Sequence, residues 1–290
     1  QHADPYLRLR LPAQGSYTLV VADTLGRGGP DYAYRLRLGP PREDFAVLTD
    51  RSAINFQNSG SALFRVVAIR KDGWDGDIEL ALVDPPKGLS LQGGIIPAGK
   101  DTVAMTLGFT GKAPDSPLAI RLEARAKLGT GLVAREVQAR DRMMQAFAYN
   151  HYVPAQGLYV GFLKGRGKGG SLALEPSPPL ILPAGGGQRL SLGIPALAGG
   201  LAARYAPKLE LVEPPPGFSL SEISLGPKGL AFLLSADASK AGYTDNLVLR
   251  LSLVPLPGAE APGAASPEAK PDKPIELGLL PAFRVTVKAP

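Results

Sequence analysis

The sequence predicts an all-β protein made of two β-sandwiches in tandem, on three observations. The first is an internal repeat. The stretch Leu80-Ala81-Leu82-Val83-Asp84-Pro85-Pro86-Lys87-Gly88-Leu89-Ser90-Leu91 returns 129 positions later as Leu209-Glu210-Leu211-Val212-Glu213-Pro214-Pro215-Pro216-Gly217-Phe218-Ser219-Leu220. A repeat at domain-sized spacing is one folding unit used twice. The second is the content of 35 Gly and 29 Pro in 290 residues. Both break helices and punctuate turns, which favours many short strands. The third is apolar alternation with period two along most segments, the mark of half-buried strands.

Residues 1–42 read as the closing strands of an incomplete sandwich. Tyr6 to Leu11, Gly15 to Val21 and Tyr32 to Leu38 each alternate, and a glycine-bearing loop runs from Asp23 to Asp31. Residues 43–140 form the first copy of the repeat. Phe45 to Leu48, Ser52 to Phe56, Ala62 to Ile69, Asp77 to Val83, Thr102 to Phe109 and Leu118 to Ala126 are strands rich in β-branched and aromatic residues. Leu132 to Gln138 is a candidate last strand. About seven short strands with turn signals every ~8–12 residues describe an immunoglobulin-like sandwich.

Residues 141–156 depart from that character. Asp141 is a helix N-cap candidate, and Met143, Met144, Phe147 and His151 share a helical face. The reading is a short helix or turn at the joint. The second copy occupies residues 157–290. Val103 to Leu107 corresponds to Leu230 to Leu234, and Leu118 to Leu122 to Leu247 to Leu251. Residues 255–274 are dominated by Pro, Ala, Gly, Glu and Lys, and read as a low-complexity loop within the second sandwich. Strands resume at Ile275 to Leu277 and Phe283 to Val287.

The net charge is +6, but the Lys and Arg are scattered among apolar residues and no nucleic-acid motif accompanies them. With no cysteine there is no disulfide, thiolate or Cys-ligated metal. No run of ~18 apolar residues is present to span a membrane as a helix. The first residue is Gln1 rather than Met and no signal peptide precedes it, so the chain reads as a processed piece of something longer.

Gly15 to Asp23, followed by Gly28-Gly29-Pro30-Asp31-Tyr32-Ala33-Tyr34-Arg35-Leu36, resembles the closing strands of bacterial pre-peptidase C-terminal (PPC) domains. Those are β-sandwich modules attached to secreted enzymes and large surface proteins. Met143 to Phe147 with His151 to Ala155 resembles a segment that follows such modules in long multidomain surface proteins. The resemblance implies a secreted, periplasmic or cell-surface bacterial protein and assigns no activity.

The chemistry-bearing residues each have a bland reading beside the sharp one. Asp72, Asp75 and Asp77 crowd the turn around Gly73 and Gly76; an oxygen-rich loop can bind calcium, and a glycine hairpin explains the same composition. Trp74, the only tryptophan, could stack on a glycan or pack over the sandwich edge. Lys164-Gly165-Arg166-Gly167-Lys168 could grip phosphate or an acidic glycan, or be a basic hairpin tip. His2 and His151 are the only histidines; for His151 the family resemblance implies an interface residue hydrogen-bonded between domains rather than a catalytic base.

No nucleophile–base pair, nucleophile elbow, zinc motif or P-loop is present, and no cofactor is expected apart from the calcium reading. The function expected is non-catalytic: a spacer or adhesive module. Its partners would be other domains of the same parent chain, a cell-surface glycan or identical subunits, with no nucleic acid and no membrane span. Two further readings stand beside it: a carbohydrate-binding accessory module of a secreted hydrolase, and a self-assembling filament or surface-layer subunit.

Overall fold

The computed structural model describes residues 6–56, 60–146, 149–163, 174–193, 204–226, 229–256 and 274–289. The fold is all-β, of sandwich type. Twelve strands precede residue 163: β1 (Asp44–Thr49), β2 (Ala53–Phe56), β3 (Ser61–Lys71), β4 (Ile78–Val83), β5 (Leu89–Gln92), β6 (Ile95–Ile96), β7 (Thr102–Phe109), β8 (Leu118–Leu128), β9 (Gly131–Glu136), β10 (Arg140–Gln145), β11 (Tyr149–Pro154) and β12 (Leu158–Phe162). One sheet has the order β1-β3-β7-β5. The facing sheet has the order β2-β12-β8-β4-β6, with β9 on β8. Alternate residues point inward, and Phe45, Ile54, Phe64, Ile78, Met105 and Leu122 fill the space between the sheets.

Ten strands follow: β13 (Leu174–Glu175), β14 (Leu180–Pro183), β15 (Gly186–Leu192), β16 (Tyr205–Leu211), β17 (Phe218–Gly226), β18 (Gly229–Ala236), β19 (Thr244–Leu247), β20 (Leu249–Pro255), β21 (Ile275–Leu279) and β22 (Phe283–Lys288). The order β13-β15-β18-β17 matches the first sheet of the first unit, strand for strand. Facing it are β14-β22-β19 and β16-β20-β21. In both units a short strand pairs in parallel with the last one: β2 with β12, and β14 with β22. Phe232, Leu190, Leu234, Leu249 and Val285 form the second core.

The residues 129 positions apart occupy equivalent strands. Leu80 and Leu209 are buried on β4 and β16, and Leu89 and Phe218 on β5 and β17. The backbone repeats too. Asp84 and Glu213 have φ of 45° and 44°, Gly88 and Gly217 of 88° and 86°. The Gly88 carbonyl accepts from the Thr110 N–H at 2.9 Å, and the Gly217 carbonyl from the Asp237 N–H at 2.8 Å.

Three expectations are corrected. No helix stands at the joint: β10 and β11 pair as an antiparallel hairpin, with Met143 opposite His151. Asp141 caps nothing; its carboxylate accepts from the N–H and hydroxyl of Ser52, at 2.7 and 2.8 Å. That anchor to β2 and the cross-strand ladder override local helix propensity. Second, Leu158–Phe162 belongs to the first sandwich, pairing with β2 and β8, so the boundary at 157 falls too early. Third, residues 6–43 form no strand. The loop from Asp23 does turn, with its carboxylate accepting from the Leu25 and Arg27 N–H groups. The alternating stretches around it find no sheet to pair with among the described residues, and Leu7, Leu9, Val20, Tyr34 and Leu38 stay exposed.

A Cβ on Gly88 would lie 2.2 Å from the Thr110 carbonyl oxygen, whereas one on Gly217 would first meet the flexible Lys240 side chain at 2.8 Å. Gly88→Ala is therefore expected to cost about 3 kcal/mol and Gly217→Ala about 1 kcal/mol, the latter from backbone strain alone. Urea denaturation of the two variants checks the order; equal losses would contradict it.

Candidate functional site

Of the residues singled out in the sequence, Trp74 is 7% exposed. Its ring packs 5.4 Å from that of Phe45, and the Arg70 guanidinium lies over it at 5.2 Å. The indole N–H donates to the Lys127 carbonyl at 3.1 Å. A Cβ on Gly76 would sit 2.6 Å from the ring, so glycine is what lets the indole lie against that turn. The ring is a core plug, with no open face for a sugar.

The carboxylates of its turn do not converge. Asp75 accepts from the Gly99 N–H at 2.6 Å and Asp77 from the Ala98 N–H at 2.8 Å. Both thereby hold the neighbouring turn, Pro97 to Lys100. Asp72, in a left-handed conformation at φ 54°, faces the other way and accepts from the Tyr6 hydroxyl and the Arg42 N–H. No group of three or more acidic or imidazole side chains among the described residues is placed to hold a metal. His151 is exposed on β11, with no hydrogen bond between domains. His2 and Lys164 to Lys168 lie outside the described residues.

Arg70, unremarked in the sequence, ties this corner together. Its guanidinium donates to the carbonyls of Gly76, Pro97 and Lys100 at 2.6, 2.8 and 3.2 Å. Its Nε lies 3.2 Å from the Asp75 carboxylate, close enough for an ion pair but off the angle of a hydrogen bond.

The other group of engaged polar side chains lies between the two sandwiches. The Asn246 amide is 5% exposed and donates to the carbonyls of Gly93 and Ala104, at 2.6 and 3.0 Å. The Thr106 hydroxyl, fully buried, accepts from the Ala282 N–H at 2.8 Å and donates to the Gln92 side chain at 3.1 Å. Beside them the Tyr243 hydroxyl donates to Asp245 at 2.9 Å. Lys100 of the first unit sits 3.4 Å from that carboxylate and 3.5 Å above the Tyr243 ring. Burial, then the bond to Asp245, pushes the Tyr243 hydroxyl far above its ordinary pKa, so it stays a donor at any ordinary pH. At the rim Arg65 pairs with Glu213, a mostly exposed pair of small energetic weight.

This joint needs Gly93. Its φ is 73°, and a Cβ there would lie 2.5 Å from the Asn246 amide nitrogen and 3.0 Å from Ala282 Cβ. The strands beneath show the same contact in their burial. Met105 to Gly108 on β7 and Asp245 to Leu249 around β19 are buried without alternation. Unbroken burial means both faces are covered, one by the strand's own sandwich and one by its neighbour.

No family model matches the chain, and no curated protein matches it.

Two outcomes follow. Arg70→Lys keeps the charge but not the planar fork, and should cost about 1–3 kcal/mol in urea denaturation; unchanged stability would show that the fork is dispensable. At Asp72 the Tyr6 hydroxyl, then the Arg42 N–H, holds the carboxyl below its ordinary 3.8. A lowered value in the docked state means the contact is fully present above 3.8 and lost as pH falls below it. The NMR shift of the Arg42 amide should report release in that acid window; release already at about pH 5 would contradict the contact.

Proposed function

We propose that the chain is a non-catalytic structural module: two immunoglobulin-like sandwiches set at a fixed angle, serving as a rigid spacer that also carries an interaction surface. The observation that carries this reading is the joint. Thr106, Asn246 and Ala282 are buried, the carbonyls of Gly93 and Ala104 are partly so, and a buried polar group is costly unless its partner stays in place. Sliding or hinging of one sandwich on the other would leave the Ala282 N–H and the carbonyls of Gly93 and Ala104 without partners. The immunoglobulin-like reading is supported by the strand order shared by both units. Such a spacer would belong to a secreted, periplasmic or cell-surface protein, a reading that rests on the resemblance of residues 15–36 to bacterial pre-peptidase C-terminal modules.

The commitments of these side chains favour this over catalysis. The acidic residues of the Trp74 corner are committed to backbone N–H groups of neighbouring turns. The joint is a packed, hydrogen-bonded seam, and a reaction needs an open site of approachable reactive groups.

With no native cysteine, single cysteines at Arg121 and Arg250, equivalent exposed positions on β8 and β20, allow clean spin labelling. Dipolar spectroscopy should give one narrow distance distribution. Gly93→Ala with Thr106→Val should broaden it, because the first pushes Asn246 away and the second removes the acceptor for the Ala282 N–H. A broad wild-type distribution would remove the rigid-spacer reading.

A further inference from the structure

A second place on the molecule gathers charge and spends only part of it. Between the chain before β1 and the first sandwich lies an open cleft of ≈ 420 Å³. Five cationic and three acidic side chains line it, together with Tyr6. Two of the carboxylates are already engaged. Asp72 takes the Tyr6 hydroxyl and the Arg42 N–H. Asp44 lies 3.1 Å from Arg135 and 3.8 Å from the Lys71 ammonium. Arg70 is committed to its three carbonyls. The guanidinium groups of Arg37 and Arg42 make no hydrogen bond among the described residues, and Lys71, at 3.8 Å from its carboxylate, has donors in hand. Glu43, the third carboxylate, is exposed and makes no ion pair among the described residues, so the uncommitted charge is Arg37, Arg42 and Lys71 set against Glu43, a cationic surplus.

Tyr6 adds a second kind of contact. Its hydroxyl is pinned by Asp72 while the residue stays 60% exposed. A guanidinium fork matches a carboxylate or sulfate two-pronged, and an aromatic ring stacks on the apolar face of a sugar. The cations are gathered around one open cleft, not strung along a track as a nucleic-acid backbone needs.

We propose that this cleft binds an acidic sugar residue, a uronate or a sulfated sugar, of a polysaccharide. Arg37 and Arg42 hold its oxyanion, Lys71 adds charge, and Tyr6 packs on the ring. The proposal rests on the reading of the chain as a spacer with an interaction surface, and it supplies that surface's ligand class.

The test is affinity electrophoresis and calorimetry of the full chain at about 50 mM salt, where charge contacts are weakly screened. The probes are polygalacturonate, a sulfated galactan, neutral dextran and a single-stranded oligodeoxynucleotide. Binding of either acidic polysaccharide, weakened about ten-fold or more by Arg37→Ala/Arg42→Ala, is the result expected. Which polymer binds distinguishes carboxylate from sulfate. Arg121→Ala/Arg250→Ala removes the same charge elsewhere and should leave binding within about two-fold. Arg37 and Arg42 lie outside both sandwiches, so their loss should leave the melting temperature unchanged. Failure of both acidic polymers to bind, equal weakening by the two double variants, equal binding of dextran, or equally tight binding of the oligonucleotide each overturns the proposal. None of these outcomes alters the spin-label distances, so the ligand can fail while the rigid spacer stands.

Discussion

Two sheets share a dry interior only if every second residue on their facing sides is apolar, and that constraint governs this chain. It makes Val103, Met105 and Leu107 buried partners on β7, and Leu230, Phe232 and Leu234 their counterparts on β18. Ile120 and Leu122 match Leu249 and Leu251 in the same way. Sequence identity between the copies is confined to short stretches, yet the inward positions keep their character. What is repeated is the alternation, together with the few backbone conformations that turn one strand into the next.

The same constraint explains what was legible in the sequence. β1, β2, β3, β4, β7 and β8 follow directly from alternation and turn residues, and so does the pairing of the two copies. The hairpin of β10 and β11 was not legible. Met143, Met144 and Phe147 fit a helical face by spacing, and the hydrogen bonds from Ser52 to Asp141, with the ladder between β10 and β11, settle the local choice. Those partners are 89 residues apart, beyond any local pattern. Residues 6–43 fail for the converse reason. Their alternation is as clear as that of β3, but a strand is a relation between neighbours, and no neighbour is present among the described residues.

The functional side chains were harder still. A turn rich in Asp drew a metal reading, because sequence cannot tell a carboxylate that meets a cation from one that meets the N–H groups of a turn about twenty residues away. A lone tryptophan in a turn fits either a glycan platform or a ring packed over the sandwich edge, and Trp74 carries both readings in the sequence. Thr106 and Asn246 drew none, since each is a common polar residue in or beside a strand. A trace of the joint was nevertheless present. Thr106 interrupts an apolar run, Met105 to Leu107, and a hydroxyl placed where both faces are buried needs a partner from elsewhere.

The two copies differ at the positions the joint uses. Gly93 corresponds to Glu222, and both have positive φ, 73° and 51°. The backbone bend therefore does not require glycine; the approach of Asn246 does. Thr106 corresponds to Leu233, so the second unit has no hydroxyl to receive a neighbour's N–H. Asn246 corresponds to Pro117, which has no side-chain amide to offer. Each unit carries only one half of the contact: the first holds the acceptors and the second the amide. A head-to-tail contact of this kind would generate an open array if both halves were present on both units. Here Glu222, carrying a charge paired with Arg189, stands where a third sandwich would have to approach. The second unit therefore does not repeat the first unit's half of the contact, and the first does not repeat the second's.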